Sequence, residues 1–83
     1  MIMWRKGKGG AGMPLQIGYL GKLPVFHIFW NCVSDEKKQY KLDIALCYTK
    51  GPYFSPSIER SKEQAIHVLE QWLTATGLKE DDE

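Results

Sequence analysis

The sequence predicts an α+β domain, a small antiparallel β-sheet with one C-terminal amphipathic helix packed on one face. Three observations carry this. Residues 40–48 alternate between two faces with a period of two. Residues 15–20 and 24–32 are apolar runs separated by Gly21-Lys22, a pair suited to a two-residue hairpin turn. Residues 65–76 place Ala65, Ile66, Val68, Leu69, Trp72, Leu73 and Thr76 on one half of a helical wheel.

The chain opens on Ile2, Met3 and Trp4, followed by Arg5, Lys6 and Lys8 and a glycine-rich run over residues 7–12. Such a run has high backbone entropy and few side chains to bury. Residues 1–12 are therefore expected as a flexible basic arm, whose first apolar residues could add a short edge strand.

In the hairpin, a turn at Gly21-Lys22 pairs Leu20 with Leu23 and sets Ile17 opposite Phe26. Leu15, Ile17 and Tyr19 then share a face with Pro24, Phe26, Ile28 and Trp30. Pro24 lacks an N–H and suits the start of its strand. Residues 33–39 read as a charged, solvated loop. The next strand, residues 40–48, sets Tyr40, Leu42, Ile44, Leu46 and Tyr48 against Lys41, Asp43, Ala45 and Cys47. The expected sheet thus has three strands, or four with the N-terminal edge.

Residues 49–57 contain Gly51, Pro52 and Pro56 and read as a loop, with Tyr53 and Phe54 folded back onto the core. The helix begins near Ser57 or Ser61. Ser61 with Gln64 is a candidate capping box, and Gly77 suits the residue after the last turn. The expected domain is residues 13–78, followed by a disordered acidic tail, residues 79–83.

Composition bounds the function. The 83 residues are 43% apolar and 25% charged, with three Trp, four Tyr and three Phe, which excludes a wholly disordered chain. A domain this small buries only roughly 60–65% of its unfolded surface, so association is expected to matter. The formal net charge is +1, too mild for a dedicated nucleic-acid binder. It is unevenly spread: the first 62 residues are basic and the last 21 acidic.

No apolar leader segment follows the N-terminal charges, and Met13–Val33 is too often interrupted to span a bilayer. Two cysteines are too few for a disulfide framework. With Trp30 opposite Leu42, Cys47 would fall over 20 Å from Cys32 at about 3.3 Å per residue. A cytoplasmic protein with free thiols is expected.

Catalysis has little to rest on. Two His and two Cys are scattered over four stretches, Asp43 is a lone carboxylate, and the glycine run lacks the Gly-Lys-Ser/Thr ending of a phosphate loop. No enzyme activity, metal, cofactor or small-molecule substrate is expected.

The helix covers one sheet face only. The other is expected to carry Val25, His27, Phe29, Ala45 and Cys47, with Phe29, Val25, Ala45 and Cys47 as an apolar strip. Such a strip marks a contact. The N-terminal segment, a second copy in a homodimer, or a partner macromolecule could cover it. The first expectation is a non-enzymatic protein-binding module using this face. The alternative is a nucleic-acid binder using Arg5, Lys6 and Lys8 on the arm with Lys37, Lys38 and Lys41 beside Tyr40.

Taken in order, the Trp-containing basic start, Gly-Lys hairpin, Tyr-Lys-Leu strand, and Ser61-Lys62-Glu63-Gln64-Ala65 leading into Leu69-Glu70-Gln71-Trp72-Leu73 resemble small β-meander-plus-helix proteins of phage and prophage accessory genes. The resemblance implies a stoichiometric binder, for example an inhibitor of a host or defence protein. The strands and last helix also resemble double-stranded-RNA-binding domains. The first helix of that family is missing, and so is its lysine-rich helix start.

Overall fold

Gly21, at φ 63°, makes the tight turn between the two central hairpin strands, a conformation that favours glycine. The computed structural model describes residues 2–9, 12–47 and 49–77. It contains β1 (Met3–Lys6), β2 (Gln16–Leu20), β3 (Leu23–Trp30), β4 (Tyr40–Ile44), β5 (Tyr53–Ser55) and α1 (Ile58–Thr76), with a 3-10 turn at Glu36–Lys38. The five strands form an antiparallel meander in the order β1-β2-β3-β4-β5. No helix among the described residues is long and apolar enough to cross a membrane.

Helix α1 packs on β3, β4 and β5. Its N-cap is Ser57, whose hydroxyl accepts from the Arg60 N–H at 3.1 Å. Gly77 closes it at φ 76°, as expected. Ser61, the other candidate cap, is instead buried in the first turns, hydrogen-bonded to the Ser55 hydroxyl. Ser55 also hydrogen-bonds the Ser57 carbonyl at 2.9 Å.

The core joins Phe26, Ile28 and Leu42 of the sheet to Ala65, Val68 and Leu69 of the helix, all buried. Each large side chain among them contributes about 1.5–3 kcal/mol. Farther along α1, Trp72 Nε1 donates to the Cys47 carbonyl at 2.7 Å and ties the segment after β4 to the helix. The β2 half of this face is covered by Trp4, which packs on Gly18 and lies 6.2 Å from the Phe26 ring. Lys62 of α1 stands 5.4 Å above the Trp4 ring.

The structure changes several expectations. Among the described residues the sheet has five strands. Residues 3–6 form the N-terminal edge strand expected as the alternative fourth strand, pairing with β2, and Tyr53–Ser55 of the expected loop add a fifth by pairing with β4. Strand β4 ends at Ile44, and Tyr48 lies outside the described residues. The expected acidic tail, residues 79–83, also lies outside them. Trp30 pairs with Tyr40. Ile66, placed inside by its wheel position, is 47% exposed.

The largest correction is the β2–β3 register. Leu20 pairs with Leu23 as expected, but Gly18 then faces Phe26, and Ile17 faces His27. A β-bulge lies between: Tyr19 pairs with Pro24, and Val25 is the extra residue on β3. At a bulge, two consecutive side chains can turn to one side. Val25 and Phe26 are both buried in the core cluster. Because sheet alternation has a period of two, the extra residue sends Ile17 and Tyr19 to the face opposite the helix.

Candidate functional site

The face away from α1 is assembled by register. One row runs Arg5, Ile17, His27, Asp43 across β1 to β4. The next runs Phe29, Lys41, Phe54 across β3 to β5. Tyr19 lies beside the first row, next to Met3. Ile17, Tyr19, His27 and Phe29 are half-buried, and Phe54 is exposed.

Cations sit on the rings. Lys41 Nζ stands 5.2 Å from the Phe29 ring centroid, and the Arg5 guanidinium 5.8 Å from that of Tyr19. The His27 and Phe29 rings, two residues apart on the central strand, are 6.3 Å apart and only 24° from parallel. Lys41 also reaches Asp43 at 3.8 Å, a weak exposed pair.

The expected site residues divide. His27 and Phe29 lie on this face. Val25 does not, because the bulge turns it into the core. Ala45 and Cys47 are exposed beyond the end of β4, so they form no strip with Phe29. Of the cationic candidates, Arg5 and Lys41 stand on the face. Lys37 and Lys38 are exposed on the 3-10 turn at the β3–β4 end of the sheet, where Asp35 caps the turn by accepting from the Lys37 N–H. Lys6 alternates to the other face, and Lys8 lies past the end of β1.

Ile17, Tyr19 and Phe54 were missed as site residues. Two signals pointed to the bulge that moves the first two: Gly18 inside a strand, and the unbroken Pro24-Val25-Phe26 run.

Charge divides along the same line. Residues 2–50 carry eight basic and three acidic side chains, whereas α1 carries two and three. Cation excess thus belongs to the sheet half of the molecule.

His27 and Asp43 are cross-strand partners, but no serine, threonine or cysteine of the described strands shares their face. Among the described residues no group of three or more His, Cys, Asp and Glu side chains is placed to hold a metal ion. Cys32 and Cys47 carry free thiols. The arrangement offers ring faces, aliphatic surface and mobile cations. Comparison with known proteins finds no family model, curated protein or solved structure that matches this chain.

Proposed function

We propose that the protein is a non-enzymatic nucleic-acid-binding module whose contact surface is the open face of its sheet. One observation carries the reading: Arg5 and Lys41 lie over the rings of Tyr19 and Phe29 on a face that α1 does not cover. Aromatic faces beside cations suit bases and phosphates together. The basic sheet half supplies the long-range attraction.

The expectation of a protein contact leaned on an aliphatic strip of Val25, Phe29, Ala45 and Cys47. Val25 is buried in the core, Ala45 and Cys47 lie beyond the end of β4, and aromatic and cationic side chains surround Phe29 instead. This shift favours the nucleic-acid reading over a protein partner or a homodimer.

The test is retention on immobilised DNA and RNA at about 50 mM salt, where phosphate contacts are strong. Wild type is retained and Phe29→Glu is not, with helix content unchanged by circular dichroism. Should Phe29→Glu unfold, Lys41→Glu replaces it. Passage of the folded wild type through both columns overturns the reading. So does a dimeric solution mass that Phe29→Glu dissociates, because the face would then serve a second copy.

A further inference from the structure

We infer that the nucleic acid taken by this face is single-stranded and lies along β3. The inference rests on the nucleic-acid reading above and names its ligand.

The rings decide between duplex and single strand. In a duplex the base faces are hidden in the stack, so a protein meets only phosphates, sugars and base edges. Ring faces have nothing to stack on there. In a single strand the base faces are free, and each can lie on an aromatic ring. A cation over a ring marks a ring face that other side chains leave open. Tyr19 and Phe29 both carry such cations. The His27 and Phe29 rings, 6.3 Å apart and 24° from parallel, follow one another along the central strand on the same face. On base binding, Lys41 and Arg5 swing from ring to phosphate, which their flexible stems allow.

The cations also give a direction. Lys22 sits in the turn before β3, and Lys37 and Lys38 sit beyond its other end. Between them β3 runs 8 residues, about 26 Å at about 3.3 Å each. Lys41, opposite Phe29 on β4, and Arg5, in the row of His27 on β1, lie on either flank of its second half. A backbone drawn along β3 meets a cation at each end and on both flanks. The track holds on the order of four nucleotides, at the small end for open-sheet and barrel binders. Stacking is indifferent to base identity, so little sequence preference is expected.

The experiment is fluorescence anisotropy with labelled oligothymidylate and oligouridylate of 4, 8 and 12 nucleotides and a mixed-sequence 12-base-pair DNA duplex. The expected result is single strands bound about tenfold or more tighter than the duplex, with most of the affinity reached by 8 nucleotides. Phe29→Ala weakens single-strand binding about tenfold and leaves its salt slope unchanged. Lys41→Ala makes the salt slope shallower by about 0.7, one phosphate contact. Duplex bound as tightly as single strands overturns the inference and leaves the nucleic-acid reading standing. So does an unchanged affinity in a folded Phe29→Ala variant. No binding to any of the oligonucleotides overturns both.

Discussion

Trp4 lies across Gly18: the two are register partners on β1 and β2, and a Cβ built on Gly18 would meet the indole at 2.9 Å. The same Cβ would stand 2.8 Å from Ile2 Cγ2. Glycine here lets the indole close the part of the core that α1 leaves uncovered, against Phe26. Gly18→Ala is expected to push Trp4 outward and to destabilise the fold by about 1–3 kcal/mol. The check is a lower urea midpoint at unchanged slope, with a red-shifted tryptophan emission.

Phe26 and Phe29 are three residues apart on one strand and should respond in opposite ways. Phe26 is fully buried, so Phe26→Ala is expected to cost about 3–5 kcal/mol, enough to leave so small a domain largely unfolded. Phe29→Ala is expected to shift the thermal midpoint only slightly, since its ring is half-buried on the open face. Circular dichroism melts of the two variants provide the comparison.

The architecture was largely legible in the sequence, and the faces of β2 were not. Alternation in Tyr40–Ile44, the Gly21 turn, and the Ala65, Val68, Leu69 and Trp72 stripe each report a local period, and each appears where expected. The register of β2 against β3 depends on a single extra residue. Alternation within β2 is blind to it, and in β3 its only trace is the consecutive apolar pair Val25-Phe26, where the period of two breaks. The outer strands were hard to read for a different reason. Met3–Lys6 and Tyr53–Ser55 have only four and three residues, too few to show a period. Their places come from pairing with longer neighbours. In the site, the placing of His27, Phe29 and Lys41 on the open face was legible, Arg5 was expected on a flexible arm rather than on a strand, and Tyr19 and Ile17 followed the lost register.

The buried hydroxyl pair of Ser55 and Ser61 joins β5 to the first turns of α1. Ser61→Ala is expected to cost about 1 kcal/mol by removing that link. Ser55→Ala also frees the Ser57 carbonyl and should cost as much or more. The two losses should fall short of additive by at least about 0.5 kcal/mol, read by denaturant titration of both singles and the double variant.

Trp72→Phe keeps the ring in the helix interface but removes the donor to the Cys47 carbonyl. A loss of about 1 kcal/mol is expected. Hydrogen exchange should speed up in residues 45–47 more than in β3, since the bond ties that segment to α1.

The sequence beyond Leu78 carries one lysine and four acidic residues, against a basic sheet half. Truncation after Leu78 is expected to tighten oligonucleotide binding several-fold at about 50 mM salt, and much less at about 500 mM, where the Debye length has shrunk to a few ångströms. Anisotropy titrations of the truncated and full chains at the two salt concentrations check this.

The extra residue at Val25 gives this chain an unusual tolerance of a change in length. Loss of one residue between Leu23 and Phe26 would restore an unbroken ladder through the hairpin. Leu20 would stay opposite Leu23, Tyr19 opposite Pro24 and Gly18 opposite Phe26, so β2 would keep both its faces and Gly18 its place beneath the indole of Trp4. A conservative replacement at Val25 changes only volume. A one-codon deletion there removes a buried side chain yet leaves every β2–β3 pair in place. Among homologous chains, the spacing from the Gly21 turn to Phe26 should therefore shorten by one residue more readily than any other stretch of β3.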